Sequence, residues 1–211
     1  MELPRVYPIL DTQSLANRGC SPMVAAAAWI KAGAGIMQFR HKGHWPRAVF
    51  EQAQQVARLC RDAGVLFLVD DRADFAMLLG AGLHLGQDDL PPSDARRLLG
   101  PDAVIGFSTH NREQLIAEAN EPATYIALGP IFSTSSKENP DPTVGLSQLN
   151  EWRALTVKPL VAIGGITRTN AKSVIGAGAD SVAVIAGLLP DPTNESTLRA
   201  RMEEWQRLLA V

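Results

Sequence analysis

At 211 residues and 22.7 kDa the chain has room for one domain with a sizeable core, and its 46% hydrophobic and 20% charged residues are those of an ordinary globular protein. A net charge of −2 and a pI near 6.1 argue against a general nucleic-acid binder, which needs a basic face, but leave room for a local basic pocket. Cys20 and Cys60 have no CxxC spacing, so neither a disulfide framework nor a zinc site is expected and a reduced cytoplasmic setting fits; Met1-Glu2-Leu3-Pro4-Arg5 opens no apolar signal core, and no apolar run approaches the roughly 18 residues needed to cross a bilayer.

Short apolar runs alternate with longer amphipathic ones. Strands are predicted at Val6–Leu10, Ile36–Arg40, Val65–Val69, Leu83–Gly86, Val104–Ser108, Tyr125–Gly129, Leu160–Ile163 and Val182–Ile185. Most are near-continuous in apolar residues, the pattern of parallel strands covered on both faces. Helices are predicted between them. Pro22–Lys31 is alanine-rich. Trp45–Asp62 carries Val49, Phe50, Ala53, Val56, Ala57 and Cys60 at helical spacing and ends at Gly64. Shorter helices follow at Ala73–Leu79, Ser93–Leu99, Arg112–Ala119, Ser147–Leu155, Asn170–Ala177 and Glu195–Leu209, with Asn111 as a helix cap.

Strand followed by helix, repeated to the end of the chain, predicts a closed (β/α)₈ TIM barrel formed as one domain over residues 1–211. The fold typically takes about 250 residues, so the loops must be tight. The alternative is an open doubly wound sheet. Its Rossmann version needs a glycine-rich first turn, and Asp11-Thr12-Gln13-Ser14 is not one. One polar loop stands out, Ser133–Thr143, which carries two prolines and directly follows a strand.

In a barrel the polar residues just after each strand share one mouth. Strand two contributes Gln38, Arg40 and Lys42; strand three Asp70 and Asp71; strand four Gln87, Asp88 and Asp89; strand five Ser108 and His110; strand six Thr134, Ser136 and Lys137. Strands seven and eight contribute Gly164-Gly165 and Ala186-Gly187. Carboxylates from neighbouring strands suit Mg²⁺, which keeps waters and is completed by substrate phosphates. Arg40, Lys42 and Lys137 could neutralise a diphosphate. The same aspartates also fit helix caps, Asp70 and Asp71 for one helix and Asp89 for the next. Glycines after strands seven and eight suit a barrel's phosphate site, or a plain tight turn. His84, inside a strand, reads as a satisfied buried residue; His110 fits either a pocket role or a cap; His41 and His44 read as solvated. No Ser/His/Asp triad is visible.

Five stretches carry a resemblance to the thiamine phosphate synthase family: Gln38-Phe39-Arg40-His41-Lys42, Val69-Asp70-Asp71-Arg72-Ala73-Asp74, His84-Leu85-Gly86-Gln87-Asp88-Asp89-Leu90, Gly129-Pro130-Ile131-Phe132-Ser133-Thr134-Ser135-Ser136-Lys137 and Ala162-Ile163-Gly164-Gly165-Ile166. They occur in the family's order. The resemblance implies a Mg²⁺-dependent transferase that joins hydroxymethylpyrimidine diphosphate to hydroxyethylthiazole phosphate, giving thiamine phosphate and pyrophosphate. It implies that Arg40, Ser108 and Lys137 act in catalysis and that Asp71 and Asp89 hold Mg²⁺. Gln38 and Ser108 would meet the pyrimidine, and Arg40, Lys42 and Lys137 the diphosphate. Thr134 and Ser136 would meet the thiazole phosphate, with Gly165 and the backbone around Val184 and Ile185. Loop Ser133–Thr143 would act as a lid over the reaction.

Asp70, placed among the substrate-binding residues, stands where the family usually has Asn, and Ala186 where it often has Ser. An added carboxylate would repel a diphosphate unless it joins the metal or is protonated. A related branch, the TenI-like thiazole tautomerases, usually lacks the Gly86-Gln87-Asp88-Asp89 stretch; His110 would be its acid–base. A barrel that binds a thiamine precursor without turnover is the third reading. Expected partners are the small phosphorylated pyrimidine and thiazole substrates, with no nucleic acid and no membrane; a homodimer is compatible with the sequence.

Overall fold

The structure, a computed structural model, describes residues 1–134 and 141–210. Eight parallel strands close in sequence order: β1 Val6–Asp11, β2 Ile36–Arg40, β3 Leu66–Asp70, β4 Gly82–Leu85, β5 Ile105–Thr109, β6 Tyr125–Leu128, β7 Leu160–Ile163 and β8 Ser181–Val184. β8 pairs back onto β1 through Val6–Val182 to Pro8–Val184, which removes every free edge. The expected TIM barrel is therefore the fold.

Side chains alternate across each strand. On β1, Val6 and Leu10 enter the outer core against the helices, whereas Tyr7 and Ile9 enter the barrel interior. The interior cluster is small: Leu3, Tyr7, Ile9, Ile36, Leu68, Tyr125, Ala127, Val161 and Ala183. Its upper layer turns polar, because the same alternation brings Gln38, Asp70 and His84 inward.

Nine α-helices form the outer ring among the described residues: α1 Thr12–Ala16, α2 Pro22–Lys31, α3 Arg47–Asp62, α4 Ala73–Leu79, α5 Pro92–Leu99, α6 Arg112–Glu118, α7 Gly145–Trp152, α8 Ala171–Gly176 and α9 Glu195–Leu209. Short 3₁₀ turns follow at Arg153–Leu155 and Ala186–Leu188. The predicted elements recur, most with bounds moved by a residue or two. α1 is additional: at five residues it is too short to show a period, and Asp11 caps it by accepting from the Ser14 N–H. Trp45 does not join α3. Pro46 disfavours helical geometry at the residue before it, and the Trp45 ring lies in the loop, 5.6 Å from Phe39 and 4.9 Å from Phe75.

The expected cap at Asn111 forms, its side chain accepting from Gln114 N–H. The caps suggested for Asp70, Asp71 and Asp89 do not. α4 and α5 start after Arg72 and Pro91 without a side-chain cap, which leaves all three carboxylates for other work.

Candidate active site

A cavity of about 700 Å³ opens at the C-terminal mouth of the barrel. Gln38, Arg40, Lys42, Asp70, Asp71, Asp89, Ser108, Thr134, Gly165, Val184 and Ile185 all line it, so the described residues expected at the site converge. Ser136 and Lys137 lie outside the described residues. A second hollow of about 660 Å³ sits at the opposite face, where Arg153 pairs with the Asp180 carboxylate and Arg5 donates to the Asp180 main-chain carbonyl.

Charges from three adjacent strands alternate around one side of the mouth. Asp11, at the end of β1, pairs with the Arg40 guanidinium from β2. Arg40 Nε then stands 3.5 Å from Asp70 Oδ2 at the end of β3. Lys42 Nζ lies 3.1 Å from the same oxygen and 2.6 Å from Asp71 Oδ2. Asp70 Oδ2 is thus buried between the two cations.

Burial, and then the charge of Asp71, push the Asp70 carboxyl up to about 7 against the opposing pull of Lys42 and Arg40. Lys42 is partly desolvated, which weakens its charge, but Asp70 and Asp71 outweigh this and hold its ammonium above the usual lysine range. Asp71 has φ 63°, a left-handed geometry that aspartate tolerates better than most residues, and its N–H bonds to the His84 carbonyl at 2.8 Å. Asp89 folds back on its own loop, Oδ2 accepting from Gly86 N–H at 2.7 Å. Burial raises its pKa, the Gly86 N–H lowers it, and the neighbouring Asp71 carboxylate raises it again.

The loop carrying Lys42 is braced from below. Trp45 Nε1 donates to the His41 carbonyl at 3.1 Å, and Arg72 lies over the Phe75 ring at 4.0 Å. His41 is not simply solvated: its Nδ1 meets Thr12 Oγ1 at 2.7 Å and its Nε2 meets the His44 carbonyl at 2.9 Å. The loop after β2 is thereby tied to the start of α1.

The opposite side of the mouth is glycine and apolar. Gly164 (φ 96°) and Gly165 (φ 62°) make the turn after β7, and Phe132 N–H bonds to the Gly164 carbonyl at 3.0 Å. A Cβ on Gly165 would stand 2.5 Å from the Ser133 carbonyl, so only glycine fits. Ile9, Ala127, Val161 and Ala183 line the cavity below this turn. His110 lines it too, with Nδ1 at 2.6 Å from the Gly129 carbonyl and 3.6 Å from Asp141 Oδ2; its ring does not cap α6.

No group of three His, Cys, Asp or Glu side chains with metal-binding spacing occurs among the described residues. The Asp71 charge is nevertheless close enough to help raise the pKa of Asp89. Such a pair fits a cation like Mg²⁺ that takes one or two carboxylates and completes its shell with water and phosphate oxygens.

Asp11, Tyr7 and Tyr125 belong to the site as well. Asp11 is marked in the sequence only by its place after the first strand. The two tyrosines read as ordinary strand residues until the barrel closes and brings their hydroxyls to 2.9 Å.

A family profile described as "Thiamine monophosphate synthase" matches residues 6–188. A thiamine-phosphate synthase of Koribacter versatilis (strain Ellin345) is 46% identical over 215 aligned positions, covering 99% of this chain and 97% of that protein. The thiamine-phosphate synthase of Chlorobium phaeovibrioides (strain DSM 265 / 1930) is 44% identical over 174 positions, with 81% of this chain and 83% of that one covered. Among solved structures, a thiamine phosphate pyrophosphorylase from Pyrococcus furiosus superposes with a TM-score of 0.81 at 28% identity, covering 98% of this chain and 97% of that one.

His84 supplies a pH test. Burial drives its imidazole down to about 4, so the ring is neutral at physiological pH. The unfolded ring binds its proton near 6.5, so this contribution to stability is complete above that pH and is lost as pH falls towards 4. An NMR titration of the metal-free protein should find no His84 protonation between pH 8 and 6. A midpoint at its ordinary value would contradict the burial.

Proposed function

The chain belongs to the thiamine monophosphate synthase family, and on that premise we propose that it condenses hydroxymethylpyrimidine diphosphate with hydroxyethylthiazole phosphate, releasing pyrophosphate and forming thiamine phosphate. The observation that carries this reading is the meeting of Arg40, Lys42, Asp71 and Asp89 at one rim of a cavity whose other rim is the Gly164-Gly165 turn. One rim suits a metal-bound diphosphate and the other a monophosphate.

In this reading Gln38 and Ser108 hold the pyrimidine in the polar half of the cavity. Arg40, Lys42 and, from the sequence resemblance, Lys137 surround the diphosphate. Asp71 and Asp89 hold Mg²⁺, which when bound supplies positive charge to the departing pyrophosphate. The C–O bond breaks with its electron pair going to pyrophosphate and leaves a pyrimidine-stabilised methylene cation. The thiazole nitrogen then forms the new C–N bond. Thr134, Ser136, Gly165 and the backbone around Val184 and Ile185 fix the thiazole phosphate so that this nitrogen faces the cation. The chain's task is positioning and charge, not proton transfer. The walls at Ile9, Ala127, Val161 and Ala183 keep bulk water from a cation that water would capture.

The direct test is product formation from the two phosphorylated substrates with and without a chelator. Thiamine phosphate and pyrophosphate should appear in equal amounts and stop with chelation. Turnover undiminished by chelator would remove the metal. Isomerisation of a thiazole carboxylate phosphate without pyrophosphate release would transfer the site to a His110-based tautomerase, and ligand binding without either product to a binding protein.

Asp70 gives a second test. Its buried carboxyl faces the diphosphate region and is pushed up to about 7, so the uncharged Asp70→Asn should leave kcat/KM for the pyrimidine diphosphate equal or higher. A loss of about tenfold or more, near 1.4 kcal/mol of transition-state binding, would make Asp70 a working ligand or base.

A further inference from the structure

Beneath the polar half of the cavity, five side chains on five strands join in one hydrogen-bonded chain. Gln38 Nε2 donates to the Tyr7 hydroxyl at 3.2 Å. The Tyr7 and Tyr125 hydroxyls meet at 2.9 Å. Tyr125 meets His84 Nδ1 at 2.8 Å, and His84 Nε2 meets Ser108 Oγ at 2.9 Å. Tyr7 and Tyr125 are buried, and burial raises both phenols, so each keeps its proton. Space for the chain is made by Gly106, where a Cβ would stand 2.1 Å from Tyr125 Cζ and 2.6 Å from His84 Nδ1.

Counting hydrogens fixes the direction of every link. Each hydroxyl owns one hydrogen, and a buried one must be given to an acceptor. Tyr7 receives from the Gln38 amide, so its hydrogen goes to Tyr125. Tyr125 then gives its own to His84 Nδ1. A neutral imidazole with a bare Nδ1 carries its hydrogen on Nε2 and donates to Ser108 Oγ. That leaves the Ser108 hydrogen to point into the cavity. At the other end, with Nε2 turned towards Tyr7, Gln38 offers its Oε1 to the cavity.

We propose that Tyr7, Tyr125 and His84 are positioning residues that set the polarity of the pyrimidine-binding floor, making Gln38 an acceptor and Ser108 a donor and so selecting a ring that presents an amino group and a bare ring nitrogen over one that presents the reverse. The inference rests on the synthase reading and deepens it. Tyr125 is not among the cavity-lining residues, so it acts only through its neighbours. A chain running the other way would present the amide hydrogens of Gln38 and the lone pairs of Ser108, and would favour an oxopyrimidine.

The test needs two readouts. In the unmodified protein, ¹⁵N NMR of His84 should find the hydrogen on Nε2 and none on Nδ1; the opposite tautomer would overturn the proposal. Inhibition constants are then compared for non-reactive phosphonate analogues of the amino- and oxopyrimidine. The unmodified enzyme should prefer the amino form by about a hundredfold, since a site built for one donor–acceptor pattern leaves polar groups unpaired with the other. Tyr125→Phe and Tyr7→Phe each cut the chain without removing the ring, and each should lower that preference by about tenfold while leaving the KM for the thiazole phosphate unchanged. Folded variants that keep the full preference would overturn the proposal. Should neither variant fold, the tautomer decides alone. If the unmodified enzyme makes no thiamine phosphate, the synthase reading fails, and the tautomer still reports the chain's direction.

Discussion

Too many carboxylates share too little water at one rim of this barrel, and the rest of the site follows from that. Asp11, Asp70, Asp71 and Asp89 face Arg40 and Lys42 there; four carboxylates less two cations leave two formal negative charges. The excess is concentrated where burial makes it expensive. Asp70 responds by holding its proton to about pH 7. The remaining excess lies with Asp71 and Asp89, where a divalent cation would cancel it. The two cations are held in place by carboxylates in the empty site, so in the proposed diphosphate complex they would lose little freedom on binding. In the most buried of these pairs, removing Asp11 would strand the Arg40 guanidinium.

Below the rim the cavity divides in two. β2, β4 and β5 supply Gln38, His84 and Ser108, while β1, β6, β7 and β8 supply Ile9, Ala127, Val161 and Ala183. Small residues on β6 and β8 open the interior, and the hydrogen-bonded chain through Tyr7 and Tyr125 spans it. A short chain achieves this because nearly every strand residue is buried on one face or the other, so few residues are spent outside the core and the site.

Much of this was legible in the residues themselves. Near-continuous apolar strands separated by amphipathic stretches gave the barrel, and chain direction alone told which polar residues would share a mouth. Local chemistry was less reliable. Asp70, Asp71 and Asp89 are good cap residues by type, yet none caps a helix, because the turns after β3 and β4 carry the chain past them before the helices begin. Trp45 matched the period of α3 but sits before a proline. The two tyrosines gave no local signal, since their partners lie across the barrel: Tyr7 and Tyr125 are 118 residues apart. The expectations for Ser136 and Lys137 fall outside the described residues and stand on sequence alone.

Under the proposed function Asp71 and Asp89 would share one divalent cation with the departing pyrophosphate. Calorimetric titration of pyrophosphate into the protein, with Mg²⁺ and again with chelator, measures whether they do. The two ligands should bind cooperatively, and Asp89→Asn should abolish the coupling. Pyrophosphate bound equally well in chelator, or coupling unchanged in Asp89→Asn, would contradict it.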